Sequence, residues 1–143
     1  MSEFSISHRD FNDGEEIPKK FGYKHGNEIP DHIHWSGVEY DVDCIALIMD
    51  DPDAMAAVGK VWVHWIFYNN DPDTFTPVSG KNDFGEIGYG GPAPPDKRHT
   101  YVFKTYALDV ELDLKEGYSK QELEDAMKGH ILAEAKLTGT FAP

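Results

Sequence analysis

The sequence predicts a mostly β fold, an antiparallel Greek-key β-sandwich with one C-terminal helix before the last strand. Residues 44–49 and 61–68 form two long runs that are apolar almost without interruption and have the length of strands. Strands of this kind are buried on both faces, which favours stacked layers. The Gly- and Pro-rich tract at 85–95 fits neither a regular helix nor a central strand and is predicted as a loop.

The other elements follow from local patterns, in chain order. Residues 4–7 alternate apolar and polar side chains and predict a short first strand, and residues 100–108 are a further β-branched and aromatic run. Ser119 and Glu122 have the spacing of a capping box, so a helix is expected to begin there and to end near Gly129. Residues 131–139 alternate again and predict the last strand.

Length and charge indicate one domain over residues 1–143 and exclude several classes of partner. The chain has 13 Lys and Arg against 26 Asp and Glu, a formal net charge of −13, so nucleic acid is not an expected partner. No run approaches the roughly 20 apolar residues of a membrane span, and no secretion signal is recognised near the start, so a cytoplasmic location is expected. The single cysteine, Cys44, cannot supply a disulfide framework or a four-thiolate zinc site.

One histidine cluster supports an alternative function. His32 and His34 are two positions apart, so on a strand both face the same side, and Glu39 follows them. This pattern is typical of the first motif of the cupin barrels, with His99 as a further ligand, although the second cupin motif is incomplete. A metal-dependent cupin-like enzyme that uses His32, His34, Glu39 and His99 is therefore the alternative.

A second set of motifs covers nearly the whole chain. Residues 51–54 read Asp-Pro-Asp-Ala, residues 64–65 read His-Trp, and the tract at 90–95 leads into His-Thr-Tyr at 99–101. In these motifs the sequence resembles the phosphatidylethanolamine-binding protein family, in its bacterial and archaeal branch, which is also similar to Raf kinase inhibitor protein. Three positions depart from the family pattern: Met55 replaces a proline, Thr100 replaces an arginine, and the segment before His99 is one residue short.

The chemistry of these residues fits an anion pocket. The imidazoles of His64 and His99 can donate hydrogen bonds to an anion, and Tyr101 lies on the same side of its strand as His99. Asp51 is expected to accept from an imidazole N–H and so to raise the pKa of that histidine. We expect Asp51 and His64 to lie within reach of each other, directly or through one water. The resemblance implies a ligand pocket formed by Asp51, His64, Gly91, Pro94, His99 and Tyr101.

The function expected from this resemblance is non-catalytic binding of a small anion, a phosphate head group, with a regulatory role such as inhibition of a kinase or protease. No nucleophile stands beside a base in the sequence, so no catalytic residue, cofactor or metal ion is predicted. The expected partners are a phosphorylated small molecule or head group, a kinase or protease, and a second copy of the chain in a homodimer.

Overall fold

Within residues 3–143, which the computed structural model describes, the chain forms eight strands and two α-helices. Met1 and Ser2, the first two residues of the predicted domain, lie outside the described residues. In chain order the elements are β1 (Ser5–His8), β2 (Glu15–Glu16), a short 3-10 helix (Lys19–Phe21), β3 (Ile33–Ser36), β4 (Cys44–Asp51), α1 (Ala54–Val58), β5 (Trp62–Asn69), β6 (Val78–Ser79), β7 (His99–Leu108), α2 (Lys120–Met127) and β8 (Ile131–Phe141).

A six-stranded sheet forms the centre of the molecule, with strand order β2-β8-β7-β4-β5-β6. All eight residues of β4 are buried, and the strand is antiparallel to β5 on one side and to β7 on the other. This is the position that the apolar run at 44–49 predicts, because a strand covered on both faces needs apolar side chains on both. The strands predicted near 61–68 and 100–108 are β5 and β7.

Two different layers cover the two faces of this sheet. On one face, Leu47 and Phe67 belong to a core that includes Ile6 of β1 and partly buried residues of β3, and β1 and β3 pair in a separate two-stranded sheet. On the other face, Ile48 packs in a core with Leu123 of α2. Burial on both faces contributes most of the stability of such a sheet.

The predicted antiparallel sandwich is therefore only partly right. The fold is mostly β and largely antiparallel, but β2 pairs with β8 in parallel, and a helix rather than a second large sheet covers one face. The described residues also form a second helix, α1, where one helix was predicted. β2 has only two residues, both glutamates, so no hydrophobic period marks it in the sequence.

The two helices begin and end for different reasons. α2 has the predicted capping box: the Ser119 hydroxyl accepts from the Glu122 N–H, and the Glu122 carboxylate accepts from the Ser119 N–H. α1 has only five residues and ends at Gly59, whose φ of 82° is readily adopted by glycine. Neither helix in the described part of the chain is long and apolar enough to cross a membrane.

Candidate functional site

A cavity of about 210 Å³ opens at the end of the central sheet where β4 stops and β5 and β7 begin. The strands contribute polar groups, while α1 and the loop between β6 and β7 contribute mostly apolar walls. The lining residues are Asp51, Ala54, Val58, Trp62, His64, Phe84, Ala93, Pro95 and Tyr101.

Asp51 reaches this cavity because β4 changes register at its polar end. The pairing of β4 with β5 is regular up to Met49 and shifts between Met49 and Asp50. Such irregularities bend a strand and redirect its side chains. Asp50 forms an ion pair with Lys104, with 2.7 Å between Oδ2 and Nζ, whereas Asp51 lines the cavity.

Asp51 binds His99, in an arrangement that includes a second carboxylate. His99 Nδ1 donates to Asp51 Oδ2 at 2.6 Å, and His99 Nε2 donates to Asp96 Oδ1 at 2.7 Å. Burial lowers the pKa of His99, but the hydrogen bonds and charges of the two carboxylates outweigh burial, so its pKa is raised above the usual value. His99 is therefore held as an imidazolium with both nitrogens engaged.

This arrangement identifies the imidazole that Asp51 binds, which the sequence analysis left open, as that of His99. It also corrects the donor role predicted for His99. His99 is completely buried and is absent from the cavity lining, and with Asp51 and Asp96 on its two nitrogens it has no N–H left for an anion. Sequence reasoning missed Asp96 as a partner, since a carboxylate three residues before the strand histidine has no recognised motif.

His64 has the opposite environment. Its Nδ1 lies 2.7 Å from the Gly90 carbonyl oxygen, which can only accept, so the proton is on Nδ1. Burial lowers the pKa of His64 and outweighs the opposing effects of the Gly90 carbonyl and the Asp51 charge. The ring is therefore neutral and its Nε2, which makes no hydrogen bond to another described residue, is an acceptor. The predicted donor role requires that His64 first gain a proton.

Tyr101 lies between the two histidines. Its ring centre is 5.1 Å from that of His64 and 6.4 Å from that of His99. The hydroxyl is buried and lies near the Asp51 carboxylate and the Ala93 backbone, yet forms no hydrogen bond of standard geometry with any described residue. Burial also raises the pKa of Tyr101, so the hydroxyl keeps its proton and can donate to a ligand.

Gly91 and Pro94, also predicted for the pocket, lie behind the cavity or beside it. The Gly91 N–H donates to Asn27 Oδ1 at 2.7 Å, and a Cβ at this position would collide with the carbonyl oxygen of Phe21. Pro94 lines a neighbouring cavity of about 200 Å³ together with Lys24. Gly91 anchors the loop through its bond to Asn27, and neither residue lines the cavity described above.

The apolar wall contains two aromatic residues that the sequence analysis did not assign to the pocket, Trp62 and Phe84. Their rings meet edge to face, with centres 5.5 Å apart, and Phe84 also packs edge to face on His64. Asn82 shapes the loop that carries Phe84, because its Oδ1 accepts from the backbone N–H groups of Phe84 and Glu86. Asparagine before a Gly-rich segment was the available signal.

The three departures from the family pattern are each next in sequence to a residue that lines the cavity, namely Ala54, Pro95 or Tyr101. Met55 is 54% exposed on α1, and the Thr100 N–H donates to Asp53 Oδ2 at 2.8 Å. In the segment before His99, Arg98 forms an ion pair with Glu16, with 3.1 Å between Nε and Oε2. None of the residues lining the cavity is a lysine or an arginine.

The alternative metal site is not formed. His34 is exposed on β3 and His32 is exposed just before it, whereas His99 is buried in β7 with carboxylates on both nitrogens. Among residues 3–143, no group of three or more His, Cys, Asp or Glu side chains is placed to hold a metal ion.

Known proteins resemble this chain over nearly its whole length. The family model described as phosphatidylethanolamine-binding protein matches residues 7–142. A UPF0098 protein of Methanothermobacter thermautotrophicus is 41% identical over 145 residues, which covers 92% of this chain and 93% of that protein. A UPF0098 protein of Chlamydia muridarum is 43% identical over 141 residues, with the same coverage.

Two solved structures share the fold. A homologue of phosphatidylethanolamine-binding protein from Chlamydia trachomatis superposes with a TM-score of 0.88 at 38% identity, over 96% of both chains. YbcL of E. coli, described as a member of the mammalian family, superposes with a TM-score of 0.86 at 27% identity, over 98% of both chains.

Proposed function

Because the chain belongs to the phosphatidylethanolamine-binding protein family, we propose that its cavity binds the phosphate head group of a small molecule whose remaining part is apolar. The observation that carries this proposal is the division of the cavity into two chemically distinct parts. Asp51, His64 and Tyr101 supply the polar groups, while Trp62 and Phe84 supply aromatic wall. A few placed polar groups in a mostly apolar cavity are the usual composition of a small-molecule site.

The protonation of these groups favours a phosphate that carries a proton. Neutral His64 offers the lone pair of Nε2, so a phosphate O–H can donate to it. The Tyr101 hydroxyl can donate to a second phosphate oxygen. Equivalently, His64 takes the proton and becomes a donor. In both descriptions the complex holds one proton that bridges His64 and the ligand, so affinity falls when that proton is lost at high pH.

We place this function in binding and regulation rather than in turnover. Burial raises the pKa of Cys44 to about 12, and this thiol lies in the core under α2, on the opposite face of the sheet from Tyr101. The kinase or protease partner that the resemblance implies would then read the ligand-bound state of the cavity. This part of the proposal is tested by whether such a partner binds differently with and without the ligand.

Calorimetric titration with phenyl phosphate tests ligand binding, since its ring matches the apolar wall and its phosphate matches the polar end. We expect His64→Ala to weaken binding by about 1.5–3 kcal/mol, the range for a hydrogen bond to a charged group. His130→Ala is the matched control, because His130 is exposed and pairs with Asp109, which directly follows β7 at the end of that strand opposite to Tyr101. Equal affinities in both variants, each confirmed as folded by thermal denaturation, would place the binding site outside this cavity.

A further inference from the structure

A carboxylate of the chain itself occupies one nitrogen of the buried His99. Asp96 Oδ1 lies 2.7 Å from His99 Nε2, and the same oxygen accepts from the Lys97 N–H at 2.9 Å. The His99 side chain has no exposed surface, whereas the Asp96 side chain is 43% exposed. Asp96 therefore covers this nitrogen of His99 while its own carboxylate stays partly open to solvent.

The position of Asp96 relates this contact to the cavity. Asp96 directly follows Pro95, which lines the cavity, and Tyr101 lies two residues beyond His99 and lines it too. The other nitrogen of His99 is held by Asp51, which is buried and lines the same cavity. The nitrogen under Asp96 is thus the only position where a ligand could bond to this imidazolium, and a ligand oxygen there would take the place of the Asp96 oxygen.

We propose that Asp96 is a built-in competitor for anions: its carboxylate occupies the anion-binding nitrogen of His99, and a phosphate group gains that nitrogen only by displacing it. Asp96 is then a specificity-determining residue that disfavours anionic ligands relative to neutral ligands of similar shape. This inference rests on the proposed function and adds a second phosphate contact to it.

The charged groups around His99 allow an anionic ligand to replace the Asp96 carboxylate without leaving the imidazolium unpaired. Asp51 on β4 and Asp96 in the preceding loop face its two nitrogens, and the Tyr101 ring lies beside it and also contacts His64. Asp53 accepts a hydrogen bond from the neighbouring Thr100 N–H. An incoming anion replaces one carboxylate by another anion on the same N–H, so the imidazolium stays paired throughout. The displaced Asp96 is close enough to the surface to regain water, which keeps the cost of displacement low.

The test compares an anionic probe and a neutral one in the full chain. Affinities for phenyl phosphate and for benzenesulfonamide are measured by calorimetry at about pH 6, below the ordinary imidazole pKa of about 6.5. We expect Asp96→Ala to bind phenyl phosphate about tenfold more tightly than the natural chain, the scale of one charge-assisted hydrogen bond, and benzenesulfonamide equally well. Asp96→Asn keeps a neutral acceptor, so its affinity for phenyl phosphate should lie between those of the natural chain and Asp96→Ala. Asp73→Ala removes one exposed negative charge elsewhere and should change neither affinity.

The outcomes separate this inference from the proposed function. If phenyl phosphate binds the natural chain and depends on His64, but Asp96→Ala leaves the affinity unchanged, the competitor role is wrong and the proposed function stands. If Asp96→Ala increases the affinity for both probes equally, the substitution merely widens the cavity and the competitor role is again wrong. If neither the natural chain nor Asp96→Ala binds phenyl phosphate, both proposals fail.

Discussion

The two sides of the cavity bury the same residue type in different charge states, a neutral histidine on one side and a positively charged one on the other. On the β5 side, His64 is 2% exposed and bonds to a backbone carbonyl, and burial lowers its pKa. On the β7 side, His99 has no exposed surface, yet Asp51 and Asp96 raise its pKa. Burial is nearly equal, so the partners decide the protonation state.

This difference assigns separate tasks to the two histidines. A neutral ring with a free nitrogen can accept from a ligand, whereas an imidazolium between two carboxylates is already satisfied. Both nitrogens of the charged His99 are bonded to carboxylates, whereas Nε2 of the neutral His64 is available to a ligand. Under the proposed function, a ligand would meet His64 first and would reach His99 only by displacing Asp96.

The largest expected effect comes from removing the carboxylate that holds the charged side. Asp51→Ala should lower the free energy of unfolding by about 3 kcal/mol, because breaking a buried ion pair leaves its partner without compensation. The same substitution removes the hydrogen bond from the Asp53 N–H to Asp51 Oδ1 at the start of α1. Urea denaturation measures the change.

Asp96→Ala is the matched control on the same imidazole. Its carboxylate is partly exposed, so water can replace it and the loss of stability should be much smaller. If the two variants were equally stable, the buried Asp51 contact would contribute no more than the exposed one, and the proposed asymmetry between the two nitrogens would be lost.

The sequence predicted most of the fold, because its strands follow hydrophobic patterns and its C-terminal helix has a complete capping box. β4, β5, β7, β8 and α2 are each marked by such local signals. The short β2 and β6 and the five-residue α1 are set by tertiary contacts instead. Too few residues are involved for a period to be visible, so they were missed.

The cavity was predicted less completely, for a different reason. Asp51, His64 and Tyr101 line the same cavity, but motif spacing does not show which imidazole a carboxylate will bind. That choice depends on the register shift at the end of β4 and on Asp96, which places a second carboxylate on His99. Both are properties of the folded chain.

The second expected effect is a stability profile with two limbs, one from each histidine. The folded-state pKa of His99 is raised, so its contribution is full below the unfolded value of about 6.5 and is lost as the pH rises through the folded value. The pKa of His64 is lowered, so its contribution is full above about 6.5 and is lost as the pH falls. Each limb has a slope of at most about 1.4 kcal/mol per pH unit.

The free energy of unfolding is measured as a function of pH, on both sides of about pH 6.5, in His99→Gln and in His64→Gln. The comparison shows which histidine causes each fall in stability. We expect the first variant to lose the fall on the alkaline side and the second to reduce the fall on the acid side. His8, whose pKa burial also lowers, should keep part of the acid limb in His64→Gln. Loss of the same limb in both variants would mean that the two histidines titrate as one group and that the contrast between the two sides of the cavity is wrong.

The smallest effect on stability is expected at Tyr101, which lies between the two sides. Its buried hydroxyl has no hydrogen-bond partner among the described residues, so Tyr101→Phe breaks no such bond and should change the free energy of unfolding by less than about 0.5 kcal/mol. If the hydroxyl donates to a bound phosphate, the same substitution should weaken the binding of phenyl phosphate by about 1.5–3 kcal/mol. Measuring stability by urea denaturation and affinity by calorimetry separates the two roles. A variant that loses stability but keeps its affinity would show that Tyr101 is a packing residue, and His64 would then be the main ligand contact of the cavity.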